Sequence, residues 1–155
     1  MRVGIISDTH GLLRPEAVRA LHGVELIIHA GDVGEAAILA ELTKIAPVFA
    51  VRGNVDTEPW AQELPATAVV EASGASFYVL HNLRELDLKP RESGFAAVIS
   101  GHTHQPVQER RDGVLYLNPG SAGPRRFNLP ISLALVDTGA EPWKIEIREL
   151  IQKSN

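Results

Sequence analysis

The sequence contains no cysteine. Disulfides and thiolate metal sites are therefore excluded, and the chain fits a reducing compartment, so a cytoplasmic location is expected. Any metal must be held by His, Asp, Glu, Asn or water. Long apolar runs are missing too: none approaches the ~20 residues that a membrane span requires. The opening MRVGIISDTH has neither the apolar core nor the cleavage site of a secretory leader, and reads as a strand. Positive charge is not in excess. With a formal net charge of −4, strong nucleic-acid affinity is not expected, although a local basic patch is compatible with that total. There is no internal repeat, low-complexity tract or block of like charge. What remains is a chain of 155 residues, 45% of them hydrophobic, which is enough for one core. It reads as a single domain over residues 1–155.

Short apolar, β-branched runs punctuate the first half: RVGIIS, ELIIHA and PVFAVR read as strands. Between them, RPEAVRALHG has Pro15 for a first helical turn and Gly23 for a stop. EAAILAELTKIA places Ile38, Leu42 and Ile45 on one helical face, with Leu39 beside them. This βαβαβ rhythm predicts a partly parallel sheet covered by helices. The second half changes character. TAVVEA and SFYVLH flank Ser73-Gly74, PVQERR and VLYLN flank Asp112-Gly113, and both pairs read as hairpins. GFAAVIS is another buried strand, and ISLALVD and WKIEIREL are the last two, around Thr138-Gly139. The break near Pro65 separates two sheets rather than two domains. The expected fold is α/β: two packed sheets with helices outside.

The polar residues fall at the ends of these runs. The first ends in Asp8-Thr9-His10, the second in Gly31-Asp32 and the third in Gly53-Asn54. SFYVLH ends in His81, and GFAAVIS leads into Gly101-His102-Thr103-His104. Ligands of α/β sheets usually bind at that carboxyl edge. Residues i and i+2 of an extended strand point the same way, so Asp8 and His10 can converge if extended geometry persists. His102 and His104 can do the same, unless a turn sends them to neighbouring ions. Gly31, Gly53 and Gly101 would let the backbone approach closely. Singly, Asp32 reads as an N-cap of EAAILAEL, Asn54 as a turn residue and His81 as a hydrogen-bonded strand end. Together, seven imidazole, carboxylate and amide side chains suit first-row transition ions. They are too many for one tetrahedral site and suit two ions with one bridging carboxylate.

The motif order Asp-x-His, Gly-Asp, Gly-Asn-x-Asp, His, Gly-His-x-His resembles the calcineurin-like metallophosphoesterase superfamily. NPGSAGPRR, residues 118 to 126, narrows the resemblance to the YfcE/MJ0936-type small phosphodiesterase family, over residues 1 to about 140. That resemblance implies a four-layer α/β/β/α sandwich of two mixed sheets flanked by helices, the metallophosphoesterase fold. It implies that Asp8, His10 and His104 hold one ion, that Asn54, His81 and His102 hold the other, and that Asp32 bridges. The cofactors would be two divalent transition-metal ions, manganese first, with nickel, cobalt, iron or zinc as alternatives. Many superfamily members have a histidine after the Gly-Asn pair. Here Val55 stands there, as expected of the narrow branch, and Asn82 replaces a glycine common after the His81-type ligand.

The expected activity is a dinuclear metal-dependent phosphodiesterase acting on a small phosphodiester or nucleotide, with a metal-bridging hydroxide as nucleophile. Val55 cannot donate a proton, so esters with good leaving groups should react best. Asn118, Ser121 and Arg125 are the candidate substrate-binding residues, with Arg126 and Arg52 weaker ones. His29 is either an outer partner of the site or a satisfied core histidine. Asp56 reads as a cap for TEPWAQEL, and His22 as having no catalytic role. Two other readings compete: a phosphomonoesterase or nucleotide hydrolase of the same chemistry, and a non-catalytic protein-binding scaffold resembling the retromer subunit. Trp60 and the RRFNLP loop either pack locally or offer a face for a homo-oligomer.

Overall fold

The computed structural model describes residues 1–152. Strands β1 (Arg2–Ile6), β2 (Leu26–His29) and β3 (Val48–Ala50) run parallel, joined through helices α1 (Pro15–Ala20) and α2 (Ala36–Thr43). Then follow β4 (Thr67–Ala72), β5 (Ala75–Leu80), β6 (Ala97–Ile99), β7 (Val107–Arg111), β8 (Val114–Asn118), β9 (Ile131–Asp137) and β10 (Lys144–Ile151). One sheet has the order β10-β9-β1-β2-β3, the other β4-β5-β6-β8-β7. In the second sheet β5, β6 and β8 are parallel, with β4 and β7 antiparallel at the edges. Each sheet therefore presents a row of carboxyl strand ends, and the two rows meet at one edge of the sandwich.

Period-two patterning assigns the faces. Val3, Ile5, Leu26 and Ile28 point inward against Val70, Phe77, Val79, Ile99 and Leu117 of the other sheet. Each such fully buried side chain contributes about 1.5–3 kcal/mol. Ile6 and Ile27 point outward and pack on Ala17 of α1, on Leu21 just after it, and on Ile38 and Leu42 of α2. Gly4 belongs to this outer face, where a Cβ would collide with Leu21. The Ser73-Gly74 and Asp112-Gly113 turns have all four residues at positive φ, as the primed hairpin turns require.

The expected sandwich of two mixed sheets is thus present, with helices covering the first sheet. On the outer face of the second sheet, the cover is an irregular loop with one 3-10 turn, Leu83–Glu85, rather than an α-helix. Leu83, Leu86, Leu88 and Phe95 from it pack on Tyr78, Leu80 and Val98. Pro90 lies within that segment, and it removes an N–H and restricts the residue before it, which disfavours a continuous helix. The helices of the first sheet are also shorter than their sequence patterns suggest. No helix among the described residues is long and apolar enough to cross a membrane.

Candidate metal centre

All seven candidate ligands follow the carboxyl ends of β1, β2, β3, β5 and β6. Donor atoms of Asp8, His10 and His104 form one group within 4.8 Å of one another; those of Asp32, His81 and His102 form another. Asn54 joins the second group through Oδ1, 3.2 Å from His102 Nδ1. His102 and His104 thus fall in different groups.

Convergence does not come from extended backbone, as the i, i+2 spacing predicts. Asp8, His10, Asp32, His102 and His104 all have φ between 46° and 73°. Asp and His tolerate this region better than most residues, but it costs of order 1–3 kcal/mol each. Five such residues at one place require compensation, and the surrounding hydrogen bonds supply part of it. His10 N–H donates to Asp32 C=O at 2.9 Å and Asp8 N–H to Gly31 C=O at 3.0 Å. The glycines act through close approach. A Cβ on Gly53 would strike Asp32 Oδ1, and one on Gly101 would strike Ser7 Oγ and Asp8 Oδ2.

Each carboxylate has one oxygen held and one bare. Asp8 Oδ2 accepts from Ser7 Oγ at 2.7 Å and from His102 N–H at 3.1 Å. Asp8 Oδ1 is buried without a hydrogen-bond partner and lies 3.4 Å from His104 Nε2 and 3.8 Å from His10 Nε2. Asp32 Oδ1 accepts from Val55 N–H at 3.0 Å. Asp32 Oδ2 stands between the groups, 3.6 Å from His10 Nε2 and 3.1 Å from His81 Nε2. His81 donates from Nδ1 to Ala30 C=O at 2.7 Å, which leaves its buried Nε2 without a hydrogen-bond partner and turned to the carboxylates. His10 and His104 bring their Nε2 atoms 3.3 Å apart.

Bare carboxylate oxygens and imidazole lone pairs facing one another in a buried place are the arrangement a cation fits. Electrostatics agree. Burial pushes the Asp8 carboxyl up, but the neighbouring imidazoles of His10, His104 and His81 and the Ser7 hydroxyl hold it well below the usual carboxylate range. Burial likewise opposes ionisation of Asp32, and the adjacent His81 imidazole together with the Val55 N–H bond outweighs it. Burial lowers the His81 imidazole, yet Asp32 and Asp8 shift it upward on balance. The site therefore carries two buried carboxylates in their charged form.

Several side chains play other parts than expected. Asp56 does not cap the 3-10 turn Pro59–Glu63, whose N-terminus lacks a side-chain cap. Its buried carboxylate accepts from Val33, Gly34 and Gly53 N–H at 3.1, 3.0 and 2.9 Å, tying the loops after β2 and β3 together. Asp32 is not an N-cap either; Glu35 occupies that position. His29 accepts at Nδ1 from Gly31 N–H, and its Nε2 lies 3.0 Å from Thr9 Oγ1, which donates to Val33 C=O. Burial lowers its pKa to about 4, so it is a neutral brace between the Asp8 and Asp32 loops.

The expected substrate-facing residues have internal partners. Asn118 Nδ2 donates to Gly101 C=O and Thr103 Oγ1 while its Oδ1 accepts from Gly120 N–H, pinning the GHTH loop. Ser121 Oγ donates to Asp8 C=O at 3.0 Å. Arg125 donates to Leu129 and Ile151 carbonyls at 3.1 and 3.4 Å, and Arg52 to Leu64 C=O. Sequence reasoning missed Ser7, whose only signal is its place before Asp8, and the tertiary role of Asp56 in GNVD.

This geometry is that of a metal-dependent phosphoric ester hydrolase built on a two-sheet sandwich. The chain matches the calcineurin-like phosphoesterase superfamily domain over residues 1–141 and belongs to that family. A probable metallophosphoesterase of Methanothermobacter thermautotrophicus is 37% identical over 147 residues, covering 87% of this chain and 85% of the relative. Phosphodiesterase MJ0936 of Methanocaldococcus jannaschii is 29% identical, covering 97% and 99%. The solved structure of an archaeal phosphodiesterase superposes with a TM-score of 0.80 at 27% identity, covering 96% and 100%. Vps29 of Chaetomium thermophilum, 16% identical with a TM-score of 0.77 and coverage of 96% and 95%, shares the fold.

Proposed function

We propose that the chain is a cytoplasmic dinuclear phosphodiesterase. In this reading Asp8, His10 and His104 would hold one divalent ion, Asn54, His81 and His102 would hold a second, and Asp32 would be shared between them. The single observation that carries it is the position of Asp32 Oδ2, bare and within 3.6 Å of His10 Nε2 and 3.1 Å of His81 Nε2, one from each group. Imidazole and carboxylate donors without thiolate suit first-row divalent ions such as manganese, nickel, cobalt, iron or zinc. When bound, such ions would supply Lewis acidity, lowering the pKa of a water nucleophile and neutralising phosphate oxygens.

The protein's own contribution is preorganisation. Ser7 and His102 N–H fix the rotamer of Asp8, and Val55 N–H fixes that of Asp32. Asn118 and Ser121 hold the GHTH and DTH loops and thereby position the reacting centre. Val55 offers no proton to a departing oxygen, so aryl and other good leaving groups are the favoured esters. The Vps29 likeness supports a scaffold at the level of fold only, and a scaffold gives no reason for two buried carboxylates each with a bare oxygen.

The test is hydrolysis of bis(p-nitrophenyl) phosphate beside p-nitrophenyl phosphate, with chelated protein and with protein resupplied with Mn, Ni, Co, Zn or Mg. Metal-dependent cleavage with the diester preferred is the expected result. A preference for the monoester would favour a phosphomonoesterase, and inactivity together with no bound metal would favour the scaffold.

A further inference from the structure

Beside His102, the half-buried histidine of the second group, opens a cleft of about 710 Å³, a volume typical of small-molecule sites. Its charge runs against the rest of the chain. The whole sequence carries −4, yet this cleft is lined by Arg84, Arg111 and Arg126 and by no carboxylate. Arg111 is committed: it lies over the Tyr116 ring at 4.7 Å and bonds Glu109 at 3.0 Å. Arg84 and Arg126 have no carboxylate within salt-bridge distance among the described residues, and both are exposed. Against them stands Phe127, 86% exposed and held at φ 55°. A bulky residue in the left-handed region is a backbone outlier, and here it presents an unpartnered aromatic face in solvent at the mouth of the cleft.

An aromatic face beside two unpaired guanidinium groups is complementary to a planar ring carrying an anion. We propose that this cleft binds an organic group of the phosphodiester substrate, and that this group is a nucleoside phosphate. Its base stacks on Phe127, and a phosphate beyond the scissile one meets Arg84 and Arg126. This rests on the phosphodiesterase reading for its substrate, but the pocket itself is assembled without any metal ligand except His102. Specificity then resides in the Arg126-Phe127 tip rather than in Arg125, whose guanidinium anchors the loop from below.

The experiment is calorimetric titration of chelated protein with adenosine 5′-monophosphate, ribose 5-phosphate and inorganic phosphate, on wild type, Phe127→Ala and Arg84→Ala/Arg126→Ala. Thermal melting and metal uptake confirm that each variant is folded. The nucleotide should bind about tenfold more tightly than ribose 5-phosphate, and Phe127→Ala should remove that difference. The double arginine variant should lose about tenfold for both phosphates, and less at high salt. A wild type that binds the nucleotide no better than ribose phosphate overturns the proposal, as does an unchanged nucleotide affinity in Phe127→Ala. Metal-dependent cleavage of bis(p-nitrophenyl) phosphate scores the two-ion reading separately. Nucleotide binding to chelated protein therefore supports the pocket even if that cleavage fails.

Discussion

The two halves of the candidate centre differ in exposure. In the group formed by Asp8, His10 and His104, the carboxylate is fully buried, His104 is 2% exposed and His10 is half-buried. In the other group, His81 and Asp32 are buried, but His102 is half-buried and Asn54 exposed. They differ in origin as well. The first sheet supplies both carboxylates, the amide and one imidazole, whereas the second sheet supplies imidazoles only. Each group has one carboxylate and two imidazoles, so the difference between them is the exposed amide of Asn54 beside the second. The group beside Asn54 is the more open of the two and the one a substrate reaches more easily. Asp32 Oδ2 faces His10 Nε2 of one group and His81 Nε2 of the other, which in the proposed reading makes the halves one unit.

Removing the shared group should therefore have the largest effect. Asp32→Ala is expected to lower kcat/KM for bis(p-nitrophenyl) phosphate by about 10³-fold and to bring metal content below one ion per chain by elemental analysis. Breaking one half should be milder and asymmetric. His102→Ala should keep one tightly held ion and lose about 10²-fold in activity, while His104→Ala should lose the ion that His102→Ala keeps. Equal metal loss in the two variants would erase the distinction drawn between the halves.

The next effect tests what holds the halves together. Asp56→Ala leaves the N–H groups of Val33, Gly34 and Gly53 without their acceptor. It should cost about 2–4 kcal/mol in denaturant unfolding and about 10–100-fold in metal affinity, with Asp56→Asn closer to wild type.

Asp56 also marks the limit of what was legible. The convergence of the seven candidate side chains could be read because strand ends are local features, visible as apolar runs that stop at Asp, Asn or His. The sheet division near Pro65 and both hairpin turns were legible for the same reason. A carboxylate bridging loops 20 or more residues apart leaves no local trace, so Asp56 in GNVD read as a cap. The left-handed backbone of Asp8 and His10 was hidden because tertiary bonds to the β2 loop impose it against local preference. Asn118 and Ser121 were found as residues of the site, but their partners, Gly101 C=O and Asp8 C=O, are tertiary. The loop over the second sheet has apolar residues without a clear helical period, and only packing assigns them.

The smallest expected effect concerns pH. His29 is neutral and buried with its pKa lowered to about 4, against an ordinary 6.5. Between these values the unfolded chain binds the proton and the folded chain does not. Stability of the metal-free protein should therefore fall as pH drops from about 6.5 to 4, by up to about 3 kcal/mol, and the contribution levels off below that. Urea unfolding across the window, with the His29 ring followed by NMR, checks both the slope and its source. A ring that titrates near 6.5 in the folded protein would remove His29 as a neutral brace.

The central claim is that the two groups are one dinuclear site joined by Asp32. Titration of chelated protein with Mn(II), followed by electron paramagnetic resonance, tests it directly. The account predicts two ions per chain and a spin-coupled spectrum, since ions sharing a bridge lie about 3.5 to 4 Å apart. One ion per chain, or two with uncoupled signals, would contradict it.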